Sequence, residues 1–293
     1  MDETELARLF EEHRNQLRAV AYRMLGSLSE ADDAVQETWL RLARTDISEV
    51  TNLGGWLTTV VGRICLNMLR SRGTRAELPL DTHVPDPVVS PAEGVGPEDQ
   101  ALLADAVGLA LLVVLNTLNP AERLAFVLHD MFAVAFDEIA LIVDRTPAAT
   151  RQLASRARRR VQDAAPAPDA DLVRQREVVE AFFAASRAGD FDALVAVLDP
   201  DVVLRADGGA GRPAFSTIIR GGVAVASQAR TAKQLAPFVK HALINGTPGA
   251  VIAPRDQVVS IMSFVVRGGR ITEIHVLGDP QRLRDLDLAA WLD

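Results

Sequence analysis

Apolar residues recur at three- and four-residue spacing from the start of the chain. Leu6, Leu9, Phe10, Leu17, Val20, Ala21, Met24 and Leu25 form one stripe, and Gly26 ends it. That spacing predicts an amphipathic helix with glycine as its stop. In a second predicted helix Ser29 is the N-cap, Asp32 an acid in the first turn, and Arg41 and Arg44 the cations at the negative end. Its Ala31, Ala34, Val35, Thr38 and Leu42 face one way, and Asp32, Asp33, Gln36, Glu37 and Leu40 the other. A third helix opens near Gly55-Trp56 and buries Val60, Val61, Ile64, Leu66 and Leu69. Arg63, Asn67, Arg70 and Arg72 stay outside.

The helical period returns further on. A nearly all-apolar helix is predicted over 101–118, and Asn119-Pro120-Ala121-Glu122 then restarts the chain with a cap, a proline at the first helical position and an acid at the third. A short helix over 136–143, a turn at Asp144-Arg145 and a last helix opened by Thr146-Pro147 complete a helix-turn-helix pattern. After residue 172 the pattern changes. A helix over 173–188 ends at Gly189-Asp190, and strands rich in Val and Ile follow at 202–204, 241–245, 249–253, 258–266 and 271–277. Gly268-Gly269 supplies the turn between the last two. A helix followed by a curved antiparallel sheet is an α+β arrangement.

Five prolines between 79 and 97 exclude a helix or central strand there, and AAPAPDAD at 164–171 is similar in composition. The expected division is 1–78, a linker at 79–97, 98–163, a short linker at 164–171, and 172–293. At 293 residues and 48% hydrophobic, the chain has material for two or three cores. The single cysteine, Cys65, excludes an internal disulfide and a thiolate zinc site, which suits a reducing cytoplasm. Asp2, Glu3 and Glu5 carry the wrong charge for a signal peptide. The longest apolar run, 106–115, is far short of the roughly 20 residues of a membrane span. The expectation is a soluble cytoplasmic protein with no membrane partner, cofactor or metal.

A net charge of −8 argues against nucleic acid only until its distribution is read. Six arginines and no acids lie between 145 and 161, and four arginines and no acids between 56 and 75. The stretch from 81 to 110 holds six acids and no Lys or Arg. On a helix opening at Pro147, Ala148, Arg151, Gln152 and Ser155 share one face, with Arg156, Arg158 and Arg159 further along. Small residues at the opening admit a major groove, Arg151 and Gln152 can read base edges, and the later arginines can grip phosphates. Leu153, Ala157 and Val161 would hold this helix to its partner. In the stretch 56–75, arginines beside Trp56 suit melted DNA, where stacking and phosphate contact act together, and equally suit an ordinary solvated face.

These stretches resemble a known family. YRMLGSLSEADDAVQETWLRL at 22–42, GGWLTTVVGRICLNMLRSR at 54–72 and LNPAERLAFVLHDMFAVAFDEIALIVDRTPAATRQLASRARRRV at 118–161 are similar to regions 2 and 4 of the extracytoplasmic-function (ECF) sigma factors. The branch it resembles carries a C-terminal SnoaL-like domain. The resemblance implies two all-α domains, a region 2 bundle and a region 4 helix-turn-helix, followed by an α+β cone of the SnoaL or NTF2-like kind. It also implies a function: directing core RNA polymerase to promoters, with activity modulated in cis by the fused domain.

By that resemblance, Asp32, Asp33, Gln36, Glu37 and Leu40 would dock on the clamp helices of the polymerase β′ subunit, and region 4 would meet the β flap. The −10 element would fall to the loop at 45–53 and to Asn52, Trp56, Thr59, Arg63, Asn67, Arg70 and Arg72. The −35 element would fall to Thr146, Ala148, Thr150, Arg151, Gln152, Ser155, Arg156, Arg158 and Arg159. The chain departs from the family pattern with Arg63 for Asn, Asn67 for Asp, and Asp144 for the turn glycine. The acidic linker would mimic the RNA it displaces, or serve only as a tether.

In the SnoaL-like segment, ITEIHVLGDP places His275 where some members of that fold carry a catalytic aspartate. With Asp207 it marks a candidate pocket for a small molecule. Asp279, Pro280, Gln281, Arg282 and Leu283 resemble a tail motif proposed to contact the sigma core. The expected protein is not an enzyme and is a monomer outside the polymerase complex. The competing reading is a one-component, ligand-responsive helix-turn-helix regulator, in which the 54–72 stretch and the acids at 32–37 have no task. A third reading, a cyclase or isomerase with an N-terminal extension, needs a positioned acid/base pair in the pocket.

Overall fold

The computed structural model describes residues 3–46, 50–75, 82–91, 108–164 and 168–292. The chain forms two compact units. One is built from 1–77 and 114–166, the other from 78–113 and 167–293.

In the first unit, α1 (Glu3–Leu25), α2 (Leu28–Leu42) and α3 (Leu53–Arg75) pack pairwise. Phe10, Leu17, Val20, Met24 and Leu25 of α1 are buried with Ala31, Ala34, Val35 and Leu42 of α2 and with Leu57, Val61, Ile64, Cys65 and Leu66 of α3. Each large side chain removed from water contributes about 1.5–3 kcal/mol. Thr38 lies on the buried face of α2 and satisfies its hydroxyl on the carbonyl of Ala34 at 2.8 Å. The N-cap of α2 is Ser27, not Ser29. Its backbone is extended and its side chain caps nothing, while its hydroxyl lies 3.1 Å from that of Ser29.

After α4 (Leu109–Thr117) the chain turns into α5 (Pro120–Phe126), whose first turn is closed by Glu122 N–H donating to Asn119 Oδ1 at 2.9 Å. The predicted apolar helix is thus described from residue 109, and 101–107 lie outside the described residues. A single π-turn (Val127–Met131) leads to α6 (Phe136–Val143), and α7 spans Pro147–Ala164. The turn between these last two is made by Asp144 in the left-handed region (φ 55°, ψ 57°). The two helical segments expected as separate domains share a contact. Gly62 of α3 lies where a β-carbon would stand 3.3–3.7 Å from Leu128, Leu124 and Ile142.

In the second unit the described strands form one sheet in the order β1-β4-β5-β6-β7-β2-β3. They are β1 (Val89–Pro91), β2 (Leu198–Asp207), β3 (Thr217–Arg220), β4 (Val239–Ile244), β5 (Thr247–Ile252), β6 (Ser260–Arg267) and β7 (Arg270–Leu277). Neighbours run antiparallel except β2 with β7, which pair in parallel, so the sheet is mixed and not purely antiparallel. Helices α8 (Leu172–Ala188), α9 (Phe191–Val197) and α10 (Gly222–Thr231) belong to this unit.

One face of the sheet carries Leu204, Ala206, Phe264, Val266, Ile274 and Val276, packed with Val179, Phe182, Phe183 and Leu194. Phe182, Phe183 and Phe264 meet pairwise at 5.5 Å between ring centroids and fill the space between α8 and the sheet. The other face carries Ala242, Ile244, Val251, Ile261 and Leu277, covered by Leu283, Leu288 and Trp291 of the C-terminal segment. The hairpin at Gly268 (φ 57°) and Gly269 (φ 75°) forms as expected. The Asp169 carboxylate caps it by accepting from both glycine amides at 2.9 and 3.0 Å.

One expectation is overturned here. Residues 82–91, read as part of an open linker, belong to the second unit. Strand β1 pairs antiparallel with the edge of β4, and Val88 and Asn245 exchange two hydrogen bonds of 2.8 and 3.0 Å. Pro91 is tolerated because it ends an edge strand, where no ladder partner needs its missing N–H. Residues 79–81, 92–97 and 165–167 of the two predicted linkers lie outside the described residues.

Candidate nucleic-acid interface

The helix-turn-helix is assembled locally. Ala149 N–H donates to Thr146 Oγ1 at 3.2 Å, which caps α7, and Thr150, Ala154 and Ala157 are its fully buried side. Leu153 and Val161 are half-buried beside them. On the other side Ala148, Arg151, Gln152, Arg156, Arg158 and Arg159 are exposed and Ser155 is half-exposed. Thr150 does not belong with them. It is 0% exposed and donates its hydroxyl to the carbonyl of Thr146 at 3.0 Å, because position 150 falls on the stripe that packs inward.

The arginines of α7 are not equivalent. The Arg151 guanidinium lies 5.7 Å from the centroid of Phe136, whose ring stacks on His129 at 3.8 Å. His129 is held in turn by Nδ1 on the carbonyl of Val134 at 3.0 Å. Arg158 is bound to Asp130 and Arg160 to Glu122 at 3.0 Å, so both fasten α7 to the elements before it. Arg159 reaches Ser155 at 3.5 Å.

On α2 the predicted two-sidedness is found residue by residue. Asp32, Asp33 and Gln36 are exposed, Glu37 half-exposed, and Leu40 is 41% exposed, large for a leucine on an otherwise polar face. Arg18 pairs with Asp32 at 2.6 Å and Arg41 with Glu37 at 3.1 Å.

On α3, Arg63, Asn67, Arg70 and Arg72 are all exposed, and Trp56 and Thr59 are half-buried. Four of the candidate −10 residues already hold partners, among them Thr59, whose hydroxyl donates to the carbonyl of Gly55 at 3.0 Å. Asn52 Oδ1 accepts from Gly55 N–H at 3.0 Å and caps the helix, Arg72 binds Glu30 and the carbonyl of Leu25, and Arg63 donates to the carbonyl of Leu141 at 3.3 Å. Part of the predicted 45–53 loop, 47–49, lies outside the described residues.

Beneath this surface Arg123 is buried and donates from Nε to the carbonyl of Arg23 at 3.2 Å. Burial, reinforced by the neighbouring Arg72 charge, lowers its pKa to about 9. Burial likewise pushes the Cys65 thiol up to about 12.

In the second unit the tail motif is built into a clasp. Arg282 donates to Asp86 Oδ1 at 2.7 Å, to Asp207 Oδ2 at 2.9 Å and to the carbonyl of Val84 at 2.6 Å. Asp207 also accepts from Val84 N–H at 2.9 Å and from Gly209 N–H at 3.0 Å, with His83 Nδ1 at 3.2 Å. Burial alone would raise the Asp207 carboxyl. The bonds from His83, Val84, Arg282 and Gly209 outweigh it and hold the pKa at about 2. Asp279 caps the following helix α11 (Pro280–Asp285) by accepting from Gln281 N–H at 2.9 Å, and Leu283 is buried in the second core. Nothing in the sequence marked His83, Val84 or Asp86 as partners. The only signal was an acid set between two prolines, Pro85-Asp86-Pro87, in a stretch otherwise read as solvated.

The expected pocket pair, His275 and Asp207, does not face the aromatic interior between α8 and the sheet. His275 stands opposite Arg205 and Ser263 in the sheet, on the face away from Leu204, Phe264 and Ile274. Side chains alternate along a strand, so His275 and Asp207 both point away from the aromatic interior. His275 is 1% exposed, and burial with the Arg205 charge lowers its pKa to about 3. An acid/base pair aimed at the interior, as a cyclase needs, is not formed by these two residues.

The profile of Sigma-70 region 2 matches residues 9–75, and that of Sigma-70 region 4 matches residues 108–161. A probable ECF RNA polymerase sigma factor SigI of Mycobacterium tuberculosis is 34% identical over 284 residues, covering 94% of this chain and 93% of that protein. The ECF RNA polymerase sigma factor SigJ of the same organism is 37% identical over 287 residues, covering 93% and 91%. The crystal structure of Mycobacterium tuberculosis SigJ aligns with a TM-score of 0.79 and 35% identity, over 96% of this chain and 99% of that one.

Proposed function

The chain belongs to the ECF RNA polymerase sigma factors, which bind polymerase and promoter DNA to initiate transcription, and from that premise we propose how its surfaces divide the work. The exposed face of α2, Asp32, Asp33, Gln36, Glu37 and Leu40, docks on the β′ clamp helices. The acids supply charge complementarity, and Leu40 supplies the apolar anchor. The opening turns of α7 read the −35 element. Ala148 allows close approach, Arg151 and Gln152 contact base edges, and Thr146, Ser155, Arg156 and Arg159 meet the backbone. Arg158 joins them only on leaving Asp130. Trp56, Thr59, Asn67 and Arg70, with Arg63 and Arg72 once released, address the melted −10 element.

The observation that carries this reading is the division of α7 into a sealed side at Thr150, Ala154 and Ala157 and an open side at Ala148, Arg151 and Gln152. The two promoter elements lie some 25 base pairs apart, roughly 80 Å at 3.4 Å per pair. A unit in which α3 touches α5 and α6 cannot span that length, so the first unit opens when polymerase receives it. The second unit acts in cis, without chemistry of its own, by gripping residues 82–91 through Arg282, Asp86 and Asp207. Holding that segment withholds it from polymerase. The protein works in the cytoplasm as a monomer until core polymerase and its β flap engage it.

Run-off transcription with core polymerase tests the reading. The full chain and a version ending at residue 164 both support promoter-specific initiation, the shorter one more strongly. Specific, palindromic binding by a dimer of the chain without polymerase would overturn it.

A further inference from the structure

A cleft of about 710 Å³ lies beside α11. Its apolar walls include Leu235, Val258, Leu283, Leu286 and Leu288, drawn from both cores of the second unit. That size falls within the range of small-molecule sites. By contrast, the interior between α8 and the sheet is occupied by Phe182, Phe183 and Phe264.

Three features distinguish the cleft from an ordinary surface depression. Arg212, on its wall, is fixed by stacking 4.7 Å from the centroid of Phe215 and by Nη1 donating to the carbonyls of Gly278 and Val259 at 3.3 and 3.4 Å. Among the described residues its Nε and Nη2 hold no hydrogen-bond acceptor, which leaves a planar fork of the kind that takes a carboxylate. Asp256 (φ 55°), in the lining, and Arg255 (φ 54°, ψ 48°) just before it in the chain are consecutive non-glycine residues in the left-handed region. Such conformations cost free energy and persist mainly where the surroundings hold them, often at ligand sites. Finally, α11 is shared. Pro280 and Leu283 line the cleft, while Arg282 between them grips Asp86 and Asp207.

We propose that this cleft binds an amphipathic carboxylic acid, its apolar body on the leucines and its carboxylate on Arg212, and that occupancy shifts α11 and so resets the grip on residues 82–91. The second half rests on the in-cis reading above. The first half does not. The lining carries Asp256 and Asp287 against Arg212 and Arg284, so its charges balance, which favours a ligand with a single negative charge over a dianion.

The test titrates decanoate, with decanol as its uncharged isostere, into the full chain by calorimetry, and follows hydrogen exchange at the amides of Val84 and Val88. Decanoate is expected to bind saturably and to change exchange at both amides. Arg212→Gln should weaken decanoate at least tenfold and leave decanol unaffected. Leu286→Trp, which fills the cleft, should abolish both. Absence of saturable binding, equal binding of decanoate and decanol, or full binding by Leu286→Trp with an unchanged melting temperature would overturn the site. Unchanged exchange at saturation would overturn the coupling. Failure of the in-cis reading shows separately, as run-off transcription indifferent to Arg282→Ala even while decanoate binds.

Discussion

The Arg63 guanidinium donates to the backbone carbonyl of Leu141 at 3.3 Å, joining the helix assigned to the −10 element to the first helix of the helix-turn-helix. Leu141 itself is 74% exposed, so the bond engages the backbone while the side chain faces solvent. Next to it, Gly62 lets α3 approach Leu124, Leu128 and Ile142. Gly62→Leu forces four further carbons into that contact. It should destabilise the free chain by about 1–3 kcal/mol and increase its binding to promoter DNA in the absence of polymerase. Thermal unfolding and a filter-binding titration measure the two effects. A less stable variant with no gain in DNA binding would show that this contact does not restrain the free protein.

Arg151→Ala should alter selectivity at one promoter position by about 1–3 kcal/mol, read as a ratio of run-off rates on matched and mismatched −35 elements. Phe136→Leu removes the ring beneath Arg151 and should produce a smaller change at the same position. A loss from Arg151→Ala that is uniform across all sequences would assign it to phosphate.

Removing Arg282 leaves Asp86 and Asp207 buried beside one another without their cation. Arg282→Ala should cost about 3 kcal/mol in urea unfolding and raise run-off output. Arg282→Lys keeps the charge but not the fork and should fall between. The Asp207 carboxyl is held low by its partners. Its contribution is therefore complete above pH 3.8, its ordinary value, and is lost as the pH falls from there towards 2. Asp207→Asn should remove that acid-sensitive component.

His275 has the same sign by a different route. Its folded pKa, about 3, lies below the ordinary 6.5 because burial and Arg205 disfavour the imidazolium. Stability is therefore complete above pH 6.5 and is lost as the pH falls through the interval towards 3, with a limiting slope of about 1.4 kcal/mol per pH unit. Unfolding midpoints of the wild type and His275→Gln, measured from pH 7 to 4, should converge at the acid end.

Asp144 holds a left-handed conformation at the turn between α6 and α7, one that glycine adopts without a steric penalty. Asp144→Gly should raise stability by up to about 1 kcal/mol. A decrease would show that the aspartate side chain contributes more than its backbone strain costs.

The helical elements were legible because each buries one stripe at a fixed period. The inward set of α2 and the bounds of α6 follow directly from residue spacing, and Asn119 and Thr146 cap as their chemistry requires. The misses have two causes. Ser29 lies two residues past the true start, since backbone geometry at Ser27 and not hydroxyl chemistry sets it. Strand β3, α9 and α10 left weak periodic signals, and β1 sits among prolines that locally forbid a strand. Long-range pairing with β4 overrides that local preference. The clasp joins residues nearly two hundred positions apart, as Arg282 and Asp86 are, and no local pattern records such a relationship. Thr150 was misplaced by one step around its helix, which is enough to turn a residue from groove to core.

Cys65 is the chain's single thiol, wholly enclosed within α3 and shifted far from thiolate formation. Alkylating reagents should therefore ignore it in the native protein. A cysteine introduced at an exposed position, Gln152 on α7 or Gln36 on α2, would be the sole labelling point. A pair of dyes placed there could follow, molecule by molecule, how far the helix proposed for the −35 element moves from the helix proposed to dock on polymerase as the factor is taken up.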